Sequence, residues 1–237
     1  MELEVLGLVL ARGGSKSVPR KNVRLVGGKP LIAWTIETAL QAHVLNRVIV
    51  STDDKEIAGI AQQWGAEVPF MRPTELAQDD TPSIDTILHA VQWLGEHEGY
   101  HPHYIMLLQP TSPLRSAEDI EAVVRLVREK QADAVVSVCH VHQHPYWMKK
   151  INYDGQLTEF FPLDRIYTRR QDMPPIYFLD GALYLARREV LIERRTFYTD
   201  RTYGYVIPSE RSLDIDTEWD LHLVDLILQD RIQHAGN

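Results

Sequence analysis

The stretch LVLARGGSKSVPRKN, residues 8–22, joins an apolar run to a polar, cationic loop. Residues 8–11 are uninterruptedly apolar, which predicts a strand that is buried on both faces. Gly13 and Gly14 then remove side chains at the point where the chain must turn. The loop that follows is dense in Lys and Arg, although the formal net charge of the chain is −8. This contrast predicts that the loop binds an anionic ligand.

Composition indicates an ordinary globular protein with a small ligand. The chain has 237 residues, enough for a sizeable core, and we expect one domain over residues 1–237. Its hydrophobic content of 44% and charged content of 24% are typical of soluble globular proteins. The excess of acidic residues argues against a general nucleic-acid-binding protein. A local cationic loop on such a chain indicates a small anion instead.

Three features of the sequence favour a cytoplasmic location. No apolar run approaches the roughly 20 residues that a membrane span requires. The first residues, MELEVLG, start acidic and enter a predicted strand at once, so no signal peptide is visible. The one cysteine, Cys139, excludes an intrachain disulfide and fits a reducing compartment.

Short apolar runs alternate with amphipathic ones, which predicts βαβ units around a mostly parallel sheet, an α/β fold. Strands are predicted from runs rich in Val, Ile and Leu at 3–11, 47–51, 67–70, 104–109, 133–139, 181–186 and 203–207. Helices are predicted at 30–42, 54–64, 82–97, 116–130 and 217–231.

Residues 141–178 break the alternation. They are rich in Tyr, Phe and Trp among turn residues, without helical periodicity. One interpretation is an extended arm that packs on another subunit. The other is a β excursion that packs on its own domain.

The loop of residues 12–22 has the composition of a phosphate-binding loop. It follows the first strand, at the carboxyl edge of a parallel sheet, where ligands usually bind. Arg12 can bind a phosphate through two hydrogen bonds, and Lys16 and Lys21 add point charges. The loop matches neither G-x-x-x-x-G-K-[ST] nor G-x-G-x-x-G, so neither a P-loop ATPase nor a dinucleotide fold is indicated. The alternative is a charged surface loop.

Residues 109–115, QPTSPLR, end another apolar strand with two prolines and two hydroxyls. This composition predicts a rigid turn at the same sheet edge, suited to a polar ligand. The alternative is a plain connection between a strand and a helix, with Ser116 as the helix cap.

Residues 213–217, LDIDT, place two carboxylates two positions apart. In an extended chain both point to one face, because side chains alternate. That arrangement suits Mg²⁺, which takes one or two carboxylates together with phosphate oxygens. The alternative is that Asp216 only caps the last helix.

Seven stretches in chain order resemble the CMP-sialic acid synthetases, the acylneuraminate cytidylyltransferases. They are LARGGSKSVPRKN, GGKPLIAWTI, VIVSTDD, LLQPTSPLR, RRQDMPP, DGALYL and SLDIDTEWDL, and they extend from residue 6 to about 225. The resemblance implies a three-layer, Rossmann-like nucleotidyltransferase fold. It also implies a homodimer with a projecting arm, which matches residues 141–178. The implied reaction joins CTP to a nonulosonic acid with Mg²⁺, giving a CMP-sugar and pyrophosphate.

The resemblance assigns roles to individual residues. CTP would be held by Arg12, Gly13, Ser15, Asn22, Arg72 and Ser83. The acidic sugar would be contacted by Gln109, Arg170, Tyr184, Phe197 and Tyr198. Asp214 and Asp216 would carry magnesium, and Arg12, Lys16 and Lys21 would neutralise charge during catalysis. Asp216 is the hypothesised base, with a water held by the metal ion as the alternative.

Some positions depart from the pattern of these synthetases. Asp180 stands where they commonly show Asn, and a carboxylate near an anionic sugar would repel it unless it is protonated or paired. The lysine expected in the arm is either Lys149 or Lys150. N-acylneuraminate is the leading substrate, with legionaminate, pseudaminate and Kdo-type sugars as alternatives. A glycosyltransferase that binds a CMP-sugar through D-x-D, or a nucleotide-binding regulator, would release no pyrophosphate.

Overall fold

A computed structural model describes residues 3–161 and 169–235, with the side chains of Arg170 and Ala235 left out. Its centre is a six-stranded sheet. In spatial order the strands are β10 (Thr202–Val206), β6 (Ala134–His140), β9 (Tyr177–Arg187), β5 (Tyr104–Leu108), β1 (Val5–Leu10) and β4 (Arg47–Ser51). Two small sheets pair β2 (Leu25–Val26) with β3 (Lys29–Pro30), and β7 (Lys149–Ile151) with β8 (Leu157–Glu159).

The central sheet is mostly parallel, as the sequence predicts. β1 runs parallel to β4 and to β5, and β10 runs parallel to β6. Only β9 is antiparallel to its neighbours β5 and β6. The carboxyl ends of the five remaining strands therefore meet at one edge.

The prediction of a strand at 67–70 is wrong. Glu67 alone makes an isolated parallel bridge, to Ile49 of β4. The next positions cannot continue the ladder, because Pro69 has no backbone N–H to donate. The residues after Glu67 form a connection toward the third helix instead.

Five of the six α-helices among the described residues follow the prediction to within a few residues. They are α1 (Leu31–Gln41), α2 (Lys55–Gln63), α3 (Ser83–Glu98), α4 (Ala117–Lys130) and α6 (Glu218–Ala235). The sequence analysis missed α5 (Arg188–Arg194), a short helix that continues directly from β9. It has no turn residues before it and is too short for a helical period to stand out.

Helices cover both faces of the sheet, which confirms the three-layer architecture. α1, α2 and α4 share one apolar cluster with Val5 and Val9 of β1. α3 and α5 share a second cluster with Leu6 and Leu8 of the same strand. The alternation along β1 therefore places its side chains in two cores, as expected for a strand buried on both faces. None of the helices among residues 3–161 and 169–235 is long and apolar enough to cross a membrane.

The predicted arm contains the small sheet of β7 and β8. Large apolar side chains on this hairpin face solvent, with Ile151 72% and Leu157 65% exposed. The central sheet resumes before the predicted boundary at 178, because Tyr177 and Phe178 already pair with β6 as the start of β9. Residues 162–168 of the arm lie outside the described residues.

A buried carboxylate connects the start of α4 to the end of the sheet. Asp119 completes a capping box with Ser116. It also accepts hydrogen bonds from the Tyr205 hydroxyl at 2.9 Å and from Arg211 Nη2 at 2.7 Å. Burial acts to raise the pKa of Asp119, but the hydrogen bonds from Arg211, Ser116 and Tyr205 hold it below the ordinary value.

We expect Asp119→Asn to lower the free energy of unfolding by about 2–4 kcal/mol, because the Arg211 guanidinium loses its buried partner. Since the folded-state pKa is depressed, the contribution of Asp119 is present above the unfolded pKa and is lost as the pH falls below about 4. Urea denaturation between pH 3 and pH 7 measures both effects. The exposed Glu129→Gln is the control, and equal stabilities for the two variants at pH 7 would contradict this account.

Candidate active site

Three segments meet at Ile215, near the carboxyl edge of the sheet. The Ile215 N–H donates to the Thr111 carbonyl at 2.9 Å, and the Ile215 carbonyl accepts from Lys21 Nζ at 2.5 Å. Its side chain is fully buried in a cluster that also contains Val18. The first loop (residues 12–22), the turn after β5 and the aspartate segment (residues 213–217) are therefore held together.

The first loop is fixed against the end of β4. Gly13 N–H donates to Asp53 Oδ1 at 2.9 Å, and Asn22 Nδ2 donates to the Arg12 carbonyl at 3.0 Å. A Cβ on Gly13 would lie 2.7 Å from an oxygen of Asp54, so any other residue here would force the Asp54 side chain to shift. Gly13 thus shapes the loop and already donates its N–H to the protein. The Asp54 side chain caps α2.

Two adjoining cavities open beside this junction, and both are lined by Leu10, Arg12 and Gln109. The smaller, of about 150 Å³, is also lined by Ser15, Lys21 and Asn22. The larger, of about 240 Å³, is also lined by Arg72, Asp79 and Ser83. Most residues predicted to hold a nucleotide therefore surround one continuous region.

Arg72 places a fixed cation against the larger cavity. It is only 6% exposed, and its Nε donates to Ser51 Oγ at 3.1 Å. Burial lowers the pKa of Arg72 to about 10, with the negative charge of Asp53 acting in the opposite direction. The guanidinium therefore stays protonated near neutral pH.

Arg12 and Lys16 both pair with one carboxylate, that of Asp79. Arg12 Nη1 lies 2.7 Å from Asp79 Oδ1, and Lys16 Nζ contacts the other oxygen. The hydrogen bond from Lys16 is the largest cause that lowers the pKa of Asp79, followed by that from Arg12. Lys16 is 81% exposed and is not among the residues that line the two cavities. Asp79 was not predicted from the sequence, since two adjacent acids in the stretch AQDDTPS have no distinguishing spacing.

The aspartate segment presents two interacting carboxylates, as predicted. Asp214 is half-buried and accepts a hydrogen bond from Ser112 Oγ at 3.2 Å. Burial, and then the negative charge of Asp216, raise the pKa of Asp214, while the cation of Lys21 acts to lower it. The two carboxylates and Lys21 are thus close neighbours.

Asp216 does not cap the last helix, so that alternative is wrong. Thr217 Oγ1 accepts from the Asp220 N–H at 3.2 Å, and Asp220 accepts from the Thr217 N–H at 2.7 Å. These reciprocal bonds form the cap of α6. The Asp216 carboxylate is left exposed beside Asp214.

The donor set of the aspartate segment fits a hard divalent cation. The negative charge of Asp216 raises the pKa of Asp214, a repulsion that a shared cation would relieve, and oxygen ligands suit Mg²⁺. Within residues 3–161 and 169–235, no group of three or more His, Cys, Asp or Glu side chains could hold a metal ion. A cation here would therefore take its remaining ligands from water or a bound phosphate.

The turn after β5 is rigid, as predicted, but its arginine faces inward. The Arg115 guanidinium is buried and donates to the carbonyls of Gln109 at 2.8 Å and Ala182 at 3.1 Å, and to the Thr35 hydroxyl. Burial lowers the pKa of Arg115 to about 10. Arg115 therefore stabilises the turn from inside the protein. Gln109, in the same turn, lines both cavities.

The aromatic residues predicted for the sugar form a cluster. The rings of Tyr184 and Phe197 have centroids 5.4 Å apart, and Tyr198 is 53% exposed. The pKa of Tyr184 is raised to about 12, first by burial and then by the charges of Tyr198, Asp180 and Asp214. This cluster, an aromatic wall, therefore lies close to Asp214.

The remaining predicted sugar contacts are in or next to the arm. The backbone of Arg170 forms a short 3₁₀ turn, and its side chain lies outside the described residues. Lys149 Nζ pairs with Glu159 at 2.5 Å, and Lys150 lies 5.3 Å from the ring of Phe160. Both lysines therefore contact the arm itself.

Asp180 points into the protein and is paired there. Its Oδ1 accepts from the Ser137 hydroxyl and from the Ala182 N–H at 3.3 Å. Burial raises the pKa of Asp180. Gly181 follows with φ +83°, at an irregularity in the pairing of β6 with β9. Asp180 therefore hydrogen-bonds across this irregularity in the sheet through Oδ1.

Comparison with known proteins identifies relatives of the whole chain. A family model described as cytidylyltransferase matches residues 6–233. The CMP-N,N'-diacetyllegionaminic acid synthase of Legionella pneumophila is 37% identical over 230 residues, 96% of this chain and 97% of that protein. The N-acylneuraminate cytidylyltransferase of Streptococcus agalactiae is 33% identical over 220 residues, 92% of this chain and 52% of that protein.

A solved structure shares the fold. The CMP:2-keto-3-deoxy-manno-octonic acid synthetase complexed with CTP superposes with a TM-score of 0.70 at 19% identity. The superposition covers 96% of this chain and 99% of that chain. It supports the nucleotidyltransferase architecture predicted from the sequence.

Lys21→Met tests the junction at Ile215. We expect it to lower the free energy of unfolding by about 1–3 kcal/mol, because a buried carbonyl loses its donor while the stem keeps its packing. Lys16→Met removes an exposed cation and should change the free energy by less than about 0.5 kcal/mol. Urea denaturation of both variants measures the difference. Equal stabilities would show that the Lys21 hydrogen bond does not hold the junction together.

Proposed function

The chain belongs to the cytidylyltransferase family, and from that membership we propose that it transfers the CMP group of CTP to a nonulosonic acid and releases pyrophosphate. The leading candidate for the acid is N-acylneuraminate. One observation carries the proposal: the Lys21 contact brings the cationic first loop beside the Asp214 carboxylate. The chain spans 97% of the length of the Legionella relative but only 52% of that of the streptococcal one. The proposal therefore concerns this reaction alone.

Charge neutralisation is the main task of the proposed nucleotide site. CTP and the sugar acid are both anions, and a hydroxyl of the sugar must approach the α-phosphorus in line with the departing pyrophosphate. Arg12 and Lys21 line the smaller cavity, and Arg72 lies against the larger one. Preorganised cations of this kind neutralise the phosphates without reorganising during the reaction.

The aspartate segment would bind magnesium through Asp214 and Asp216. Magnesium, when bound, supplies positive charge to the phosphate oxygens. Asp216 is exposed, and its carboxylate is the candidate acceptor for the proton of the attacking hydroxyl. Lys21 holds the segment in place through the carbonyl of Ile215.

The sugar would lie against Gln109 and the aromatic wall. Apolar rings suit the N-acyl groups of a nonulosonic acid, and Gln109 supplies an amide for its polar groups. Arg170 is proposed for the sugar carboxylate. A second candidate substrate is N,N'-diacetyllegionaminate, favoured because the relative of that name is 37% identical over nearly its whole length.

A homodimer and a cytoplasmic location complete the proposal. The exposed apolar side chains of the β7–β8 hairpin, among them Ile151 and Leu157, support association of the arm with another subunit. Cys139 is a free, buried thiol, which suits a reducing compartment.

Pyrophosphate release separates the candidate functions. We expect the purified protein with CTP and Mg²⁺ to release pyrophosphate with N-acetylneuraminate or N,N'-diacetyllegionaminate, and at a far lower rate with Kdo. A coupled phosphate assay with each acid, and a control without acid, measures this. A protein that consumes CMP-sugar without making pyrophosphate would be a glycosyltransferase. If no pyrophosphate is released with any of the acids, the proposal is refuted.

Replacing both Asp214 and Asp216 with Ala should nearly abolish turnover, by at least about 10²–10³-fold, because the phosphates lose their cation. Steady-state assays with Mg²⁺ titration measure the loss, and circular dichroism verifies the fold. Asp230→Asn, on an exposed part of α6, is the control for a lost carboxylate. Unchanged Mg²⁺-dependent activity in the double variant would exclude the metal assignment.

A further inference from the structure

We propose that Asp79 is a specificity-determining residue that competes with the triphosphate of CTP, and with pyrophosphate, for Arg12 and Lys16. The proposal rests on the proposed function, because it takes these two cations as phosphate ligands. It concerns a residue that the sequence analysis did not single out. Its chemistry is an exchange of one anion for another on the same pair of cations.

The contacts of Asp79 show which ligand it resembles. Each of its carboxylate oxygens contacts a different cation, Arg12 on one side and Lys16 on the other. Asp79 also lines the larger cavity together with Arg72 and Ser83. A doubly contacted anion at the boundary of a cationic cavity occupies the position that a phosphate group would take.

The local backbone allows this carboxylate to leave without unfolding its segment. Asp79 lies in a tight turn, since the Thr81 N–H donates to the Gln78 carbonyl at 3.3 Å. The turn is supported independently by the Gln78 side chain, whose Nε2 donates to the Thr74 carbonyl at 2.7 Å. Asp79 is 41% exposed at its side chain, so rotation of that side chain toward solvent is enough to release both cations.

The strength of the contact suits an exchangeable role. Lys16 is 81% exposed, and ion pairs at such exposure contribute little because water screens them. A triphosphate carries several negative charges, and the buried Arg72 lines the same cavity as Arg12, so a triphosphate competes effectively for these cations. The carboxylate that remains nearby then repels the bound phosphates and weakens their binding.

The effect of Asp79 on binding should depend on the β- and γ-phosphates of the nucleotide. CTP and pyrophosphate carry the phosphate groups that would occupy Arg12 and Lys16, whereas CMP lacks the β- and γ-phosphates. Asp79 should therefore lower the affinity for CTP and pyrophosphate and leave that for CMP nearly unchanged. Weaker binding of pyrophosphate also favours its release after the reaction.

Calorimetric titration of Asp79→Asn with pyrophosphate, CTP and CMP in the presence of Mg²⁺ tests the proposal. Asp80→Asn is the matched control, because Asp80 is the adjacent exposed carboxylate and none of the ion pairs among the described residues includes it. We expect Asp79→Asn to bind pyrophosphate and CTP about 2- to 30-fold more tightly than Asp80→Asn, with equal affinity for CMP. Weaker or equal binding of pyrophosphate by Asp79→Asn would overturn the proposal.

A double-mutant cycle shows whether the gain acts through Lys16. In the Lys16→Met background, Asp79→Asn should improve pyrophosphate binding by clearly less than in the wild-type background. An undiminished gain would mean that Asp79 acts through general charge and not through its pair. If the wild-type protein binds CTP but releases no pyrophosphate with any acid, the proposed function fails while the competition by Asp79 still stands.

Discussion

A buried hydrogen bond, from Lys21 Nζ to the Ile215 carbonyl, helps to hold the first loop against the aspartate segment. It joins positions 194 residues apart in sequence, at the two ends of the chain. The side chains of Val18 and Ile215 pack in the same apolar cluster, so burial and hydrogen bonding fix the same pair of segments. Because Ile215 faces inward, its two neighbours Asp214 and Asp216 are directed away from that cluster. This hydrogen bond and the packing beside it therefore bring the cations of the first loop close to the carboxylates of the aspartate segment.

The site is a balance of buried and exposed charge. Arg72 and Arg115 remain cationic although burial lowers the pKa of each to about 10. Arg115 is offset by the nearby carboxylates of Asp180 and Asp214, and serves the protein itself. Arg12 and Lys16 pair with Asp79, at the surface. Because the pairs of Arg12 and Lys16 with Asp79 are exposed, a bound polyanion can replace the Asp79 carboxylate on these two cations.

Sequence reasoning worked where a local pattern determines the structure. A periodicity or a conformational requirement is visible in the sequence for each of three elements: the buried run of β1, the glycines of the first loop and the alternating aspartates. The structure brings these three elements together. It failed where the outcome depends on distant partners. Pro69 removes the hydrogen-bond donor that a strand at 67–70 would need, and no residue pattern marks where α5 begins. The contacts of Asp79 with Arg12 and Lys16 form only when the fold brings these residues together.

The close approach of Gly13 to Asp54 bears on how this protein can diversify. A methyl group at position 13 would collide at 2.7 Å with an oxygen of Asp54, while one at Gly14 would meet nothing within 4 Å. Two glycines that look equivalent in the sequence thus differ in mutational tolerance. A library intended to alter nucleotide preference should keep position 13 constant and randomise position 14, which borders the smaller cavity.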